Sequence, residues 1–153
     1  MKLNSLYQYP TSIRSLIQGQ RHYDVSDQKL PSVTTILAAT QPEEKRKALA
    51  AWKARVGAVE ADKIKDQAAA RGTTMHHILE SWIKDQQHLD LTETGILAHS
   101  MAQQIIEKGL TNRLNEYWGL EVTLYYPGLY AGATDVVGIY DGAESIIDFK
   151  QSN

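Results

Sequence analysis

Two β-rich runs flank the dipeptide Asp141-Gly142, and that arrangement restricts this chain more than any other feature. Tyr130 to Tyr140 lies before it and Ala143 to Lys150 after it. Asp-Gly between such runs signals a hairpin with a two-residue loop, because both loop positions need positive φ. In that register Asp135 lies directly opposite Asp148, with Cβ atoms about 4.5–5.5 Å apart. Lys150 shares the parity of Asp148 and so projects from the same face. Two carboxylates and a lysine on an otherwise apolar face are unfavourable to bury unpaired. A divalent cation would offset that penalty. Other loop lengths change the pairing. Four residues, Asp141 to Glu144, would oppose Asp135 to Lys150 and keep all three on one face, whereas three would break the opposition. A purely structural hairpin, held by an Asp135–Lys150 ion pair, remains open at this point.

The chain has 153 residues, which fits one domain with a substantial core. It has no low-complexity stretch and no internal repeat. Cysteine is absent, which excludes disulfides, zinc–thiolate sites, thiol catalysis and iron–sulfur clusters. No apolar run is long enough to span a bilayer, and the N-terminus lacks an apolar signal core. The expectation is a cytoplasmic protein with no membrane partner. Net charge is −2, a weak argument against nucleic acid, but the charges are unevenly spread. Residues 43–71 carry eight basic against five acidic side chains; residues 115–153 carry six acidic against Lys150 alone. A basic helical half and an acidic sheet half suit a phosphate chain gripped by one and cut by metal held in the other. Surface helices rich in Lys and Glu produce the same imbalance with no ligand at all.

The remaining signals order the elements. Residues 1–38 read as irregular with short strands, one of them His22 to Val25. Thr40-Gln41-Pro42-Glu43 resembles a capping box with proline in the first turn, opening a helix to about Arg55 that Gly57 closes. A second helix is expected from Ala58 to about Arg71, with Ala68-Ala69-Ala70 allowing close approach of another backbone. Gly72-Thr73-Thr74 is expected to break it and to cap a third helix, Met75 to Asp85, whose apolar stripe is Met75, Ile78, Leu79, Trp82 and Ile83. Thr92 or Thr94 would cap a fourth helix reaching Lys108, and Thr111 to Trp118 reads as a last helical piece. Three strands follow as a meander: Leu120 to Tyr126, Tyr130 to Tyr140 and Ser145 to Lys150. The single domain thus divides into an irregular segment (1–38), helices (40–118) and a sheet (119–153).

His76 and Glu80 are four apart and share a helix face. Gly72, one turn earlier, lets that turn sit close to a strand or a phosphate. A histidine with two sheet carboxylates makes a plausible nitrogen–oxygen metal site. Ordinary helix decoration is the competing reading, with His77 an equally good surface residue.

Four blocks resemble one known family. They are Leu30-Pro31-Ser32-Val33-Thr34-Thr35-Ile36-Leu37; Trp52-Lys53-Ala54-Arg55-Val56-Gly57; Arg71-Gly72-Thr73-Thr74-Met75-His76; and Gly132-Ala133-Thr134-Asp135 with Ile147-Asp148-Phe149-Lys150. Together they resemble the PD-(D/E)XK nuclease superfamily, in particular phage exonucleases similar to the mitochondrial genome maintenance exonuclease. The nuclease domain of RecB-type helicase–nucleases shares the Gly-x-x-x-His and Asp-x12-Asp-x-Lys blocks. The match spans roughly residues 22–153. A lone Asp-x-Lys occurs by chance; the ordered set is far more specific.

The resemblance implies an α/β fold with a restriction-endonuclease-like core, helices first and then the three-stranded meander. It implies a metal-dependent exonuclease that hydrolyses DNA phosphodiester bonds and prefers single strands. Such an enzyme serves replication, recombination or repair in a bacterium or a phage-infected host. Mg²⁺ or Mn²⁺ is the implied cofactor and DNA the implied partner. Asp135 and Asp148 would be metal ligands, His76 would complete the first shell, and the Phe149 carbonyl would add a further ligand. Lys150 would orient or activate the attacking water. Glu121, and Glu80 as the group holding His76 in one tautomer, are secondary. Ser32, Thr34, Arg55, Arg71 and Thr73, in the other matched blocks, would contact DNA. The family core continues past its lysine strand with a helix carrying a Gln and a Tyr, then a further strand. Neither follows Lys150, so the C-terminal part of that core is expected to be missing. A second chain would then supply it. Alternatively the chain is a catalytically incomplete nucleic-acid-binding module or one half of a split nuclease.

Overall fold

The computed structural model describes residues 1–152; Asn153, the last residue of the expected sheet region, lies outside them. The fold is α/β, with two three-stranded antiparallel sheets separated in sequence by helices. The first sheet is β1 (Ser12–Ile17), β2 (Gln20–Val25) and β3 (Gln28–Pro31), in that order. Helices α1 (Val33–Ala39), α2 (Glu43–Val56), α3 (Ala58–Ile83) and α4 (Glu93–Ile105) follow, and α4 runs into a π-helical stretch, Ile106–Leu110. The second sheet is the meander β4 (Leu114–Tyr126), β5 (Tyr130–Tyr140) and β6 (Ala143–Ile147). No helix among the described residues is long and apolar enough to cross a membrane.

Four sequence expectations need correction. The short strand expected at His22–Val25 is present within β2, but residues 12–39 go beyond that expectation and form a complete three-stranded sheet followed by helix α1. Leu30-Pro31 ends β3, and Ser32 then caps α1 by accepting from the Thr35 N–H at 3.0 Å. No capping box forms at Thr40, whose hydroxyl donates back to the Ile36 carbonyl of α1 at 2.9 Å; α2 starts after Pro42 with no side-chain cap.

The expected break at Gly72 is absent, and α3 is continuous from Ala58 to Ile83. Thr73 does not cap a new helix; its hydroxyl donates to the Ala69 carbonyl within the same one. A mid-helix glycine costs about 1 kcal/mol relative to alanine. Burying Met75, Leu79 and Ile83 on this same helix contributes about 1.5–3 kcal/mol each, which outweighs it. Finally, residues 114–118 are strand, not helix. β4 carries register shifts between Leu114 and Glu116 and between Tyr117 and Gly119, and these bulges scramble the period-two pattern that marks a strand.

The main core lies between α3, α4 and the inner face of the second sheet. Met75, Leu79 and Ile83 meet Ala98, Ala102, Leu114, Val136 and Phe149 there, with Trp82 packed on the edge. A smaller core joins the first sheet to the far end of β4 and β5, through Tyr23, Val25, Leu30, Ala131 and Tyr125. Two polar ties fasten the same junction. Ser12 Oγ lies 2.6 Å from Thr123 Oγ1, and the Gly128 N–H donates to Gln28 Oε1 at 2.7 Å.

Candidate active site

The site begins with a turn. Asp141 (φ +50°) and Gly142 (φ +80°) both occupy the left-handed region, as a two-residue primed hairpin loop requires. Pairing runs from Tyr140↔Ala143 to Val136↔Ile147, so the two-residue loop sets the register. β6 stops at Ile147, and Asp148 stands just beyond its end, next in line to face Asp135. On the other side, Leu120↔Val136 and Val122↔Thr134 bracket Glu121 against Asp135. Glu121, Asp135 and Asp148 therefore lie in a row across three neighbouring stretches of backbone.

Helix α3 lays His76 over the middle of that row. His76 Nε2 is 3.2 Å from Asp135 Oδ2. Its other nitrogen, Nδ1, lies 2.7 Å from the Gly72 carbonyl. A carbonyl only accepts, so Nδ1 carries the N–H and Nε2 faces the carboxylate. The Phe149 N–H donates to the same Asp135 Oδ2 at 2.7 Å. The hydrogen bond to Asp135 lifts the His76 imidazolium to about 9 against the opposing effect of burial, with the Gly72 carbonyl, the Asp135 charge and the Phe149 backbone adding to the lift. Burial works to raise Asp135, but His76, the Phe149 N–H and contact with Asp148 together bring it down to about 2. Burial pushes Glu121 up, and hydrogen bonding to Asp135 with the charges of Asp135 and Glu80 pushes it further.

Lys150 pairs with Asp148 at 2.8 Å and not with Asp135; its side chain is 81% exposed. Glu80 does not fix the His76 tautomer. The Gly72 carbonyl does that, and Glu80 pairs with Lys84 at 2.7 Å. What approaches α3 at Gly72 is not another backbone but the side chain of Gln151, the residue after Lys150. Gln151 donates to the Ala68 carbonyl at 2.6 Å and accepts from Arg71 Nε at 2.9 Å. A Cβ on Gly72 would stand 2.6 Å from Gln151 Nε2. Gln151 thus clasps the Asp148-Phe149-Lys150 stretch to the histidine helix. Its position next to the lysine was visible in the sequence, but its role needed the continuity of α3.

The five expected DNA contacts separate. Ser32 is buried, with its hydroxyl committed to capping α1, and Thr34 lies beside it on the wall of a cleft of about 660 Å³. That cleft also takes in Glu121, Asp148 and Lys150. Arg55 is exposed on α2 and does not line it. Arg71 and Thr73 do not line it either; their side chains bond to Gln151 and Ala69.

The donor set suits a hard divalent cation. An octahedral ion with bonds of about 2.1 Å sets neighbouring donors about 3.0 Å apart, close to the 3.2 Å between His76 Nε2 and Asp135 Oδ2. Those are two lone-pair atoms that otherwise need a shared proton. Among the described residues, however, no three His, Cys, Asp or Glu side chains are already grouped to hold a metal. The internal bonds explain why: Asp135 is turned to His76 and Phe149, and Asp148 to Lys150.

No protein family matches this sequence, and no curated protein does.

Proposed function

We propose that this chain is a metal-dependent nuclease with a restriction-endonuclease-like core that hydrolyses DNA phosphodiester bonds, working from the ends of single strands. One observation carries the reading. His76 from a helix, Asp135 from a strand and the backbone of Phe149 from the following segment meet within hydrogen-bond reach, with Glu121 and Asp148 on either side. Mg²⁺ or Mn²⁺ would be held by His76, Asp135, Asp148 and the Phe149 carbonyl. When bound, it supplies activation of the attacking water and offsets the charge of the scissile phosphate. The chain's own groups do the rest. Lys150 places an exposed ammonium at the cleft, where it can hold a phosphate oxygen. Asp148 keeps that ammonium near the site. The Gly72 carbonyl holds the His76 ring in one orientation, and Gln151 holds the lysine segment against α3.

The test is a time course with Mn²⁺ on end-labelled linear single strands, linear duplex and circular DNA. Cleavage of the linear single strand is expected, abolished by EDTA and reduced at least about a hundredfold in Asp148→Ala. Equal rates in the variant would remove the assignment. The internal pairing of Asp148 with Lys150 favours a second reading, a nucleic-acid-binding module without turnover. Binding of oligonucleotide with no cleavage under any divalent ion would establish it.

A further inference from the structure

We infer that the cleft beside the site is a nucleobase-stacking channel for single-stranded nucleic acid, with Tyr126 and Tyr130 as its platform and Arg14 and Arg21 as its phosphate grip. Tyr126 and Tyr130 are paired residues at the tip of the β4–β5 hairpin, their rings stacked with centroids 6.0 Å apart and planes 29° apart. They are 57% and 40% exposed, so a ring face remains for a ligand. Their cross-strand contact steadies the hairpin only modestly, and it leaves much of each ring in solvent. Facing them across the cleft is the β1–β2 hairpin. There Arg14 opposes Tyr23 and Leu16 opposes Arg21, which puts both arginines on one face. Both arginines line the cleft, both are exposed, and neither forms an ion pair among the described residues. The floor between is apolar, formed by Val33, Leu37 and Leu124. Lys150 lines the same cleft, paired with Asp148 and accompanied by Glu121.

The cleft therefore offers two arginines without an ion pair on one wall, flat apolar surface beside them, and the Lys150–Asp148 pair with Glu121 where it meets the site. A ligand complementary to it has regularly spaced anions and exposed flat rings. A single strand has both; a duplex hides its ring faces in its own stack, and an acidic peptide has no rings to match the platform. The volume, about 660 Å³, is in the ordinary range for ligand sites. The inference rests on the nuclease reading only for what happens at Asp148 and Lys150; binding along the channel is separate from cleavage.

The test is fluorescence anisotropy of a labelled twelve-nucleotide oligo(dT) with the full chain, in EDTA so that nothing is cut. Tyr126→Ala and Tyr130→Ala are each expected to weaken binding about tenfold. Tyr126→Phe and Tyr130→Phe, which keep the ring, should bind like the wild type. An abasic strand of the same length should bind weakly to the wild type and be insensitive to the alanine changes. Arg14→Ala with Arg21→Ala should lower the slope of log affinity against log salt by about 1.4, roughly 0.7 for each phosphate that is no longer neutralised. Thermal melts check that each variant is folded. Unchanged affinity in folded alanine variants overturns the channel, as does equal binding of the abasic strand, of duplex or of poly-glutamate. Abolished cleavage in Asp148→Ala alongside unaltered binding in the tyrosine and arginine variants would leave the nuclease standing and the channel refuted. Oligonucleotide binding with the expected variant pattern but no cleavage would do the reverse.

Discussion

His76 and Asp135 form one interaction that titrates at both ends of the pH scale. The histidine, ordinarily at 6.5, is held at about 9, and the aspartate, ordinarily at 3.8, at about 2. A folded pKa above the unfolded one gives stability that is complete below 6.5 and lost as pH rises through about 9. A folded pKa below the unfolded one gives stability present above 3.8 and lost as pH falls toward about 2. The two statements describe the same bond and are counted once. In the metal-free chain the contribution should thus be full between 3.8 and 6.5 and decline on both sides. Urea midpoints at pH 5.5 and 9.5 test it: the wild type should lose more stability over that interval than Asp135→Asn does. Parallel declines in the two proteins would mean the pair carries no net stability. The same arithmetic explains why a cation and a proton compete here, since at neutral pH His76 Nε2 already holds the proton that a metal must displace.

Elements decided where sequence reasoning succeeded. The β5–β6 hairpin was legible because its register depends on two adjacent loop residues whose backbone requirement is local. Asp135 and Asp148 followed from that register by counting. The joining of His76 to Asp135 is a long-range contact, and only the ordered motif blocks pointed to it. The break expected at Gly72 was a local signal overruled by the packing of Met75, Leu79 and Ile83. The strand at 114–118 was hidden by two bulges. The Gln151 clasp escaped because nothing near position 151 in sequence requires it, and its partners on α3 come eighty or more residues earlier. That clasp makes a prediction at the same scale. Gly72→Ala improves the intrinsic propensity of α3 by about 1 kcal/mol, yet puts a methyl group 2.6 Å from Gln151 Nε2. The glutamine can swing away, so melting temperature should change by only a few degrees. The released lysine segment should lower Mn²⁺-dependent cleavage about tenfold to a hundredfold, the scale of a displacement near 1 Å. Gln151→Ala should copy the fall in activity. Wild-type rates in both variants would show that the clasp does not position Lys150.

At the scale of the whole molecule, two cores of unequal size share the second sheet, and the cleft lies against the smaller of them. The larger one unites α3, α4 and the second sheet, and Met75, Leu79 and Ile83 are fully enclosed in it. The smaller one holds the first sheet to the tip of the β4–β5 hairpin through Tyr23, Val25, Leu30 and Ala131, aided by the Ser12–Thr123 and Gly128–Gln28 bonds. Stability is distributed accordingly, because segments with few buried apolar contacts open at lower free energy than the global transition. The β1–β2 hairpin also exposes Ile13 and Leu16, so little apolar surface holds its outer strand in place. It forms one wall of the cleft, and a local opening there widens the channel without disturbing Asp135 or His76. Native-state hydrogen exchange should therefore show amides of β1–β3 opening well below the free energy at which those of α3 and β5 open. Oligonucleotide spanning both walls should raise protection in β1–β2 selectively, since it binds the closed arrangement and not the open one. Protection in β1–β3 equal to that in α3 would make the molecule a single cooperative unit. Protection gained only along α2 and α3 would instead place the strand on the basic helices, away from the cleft.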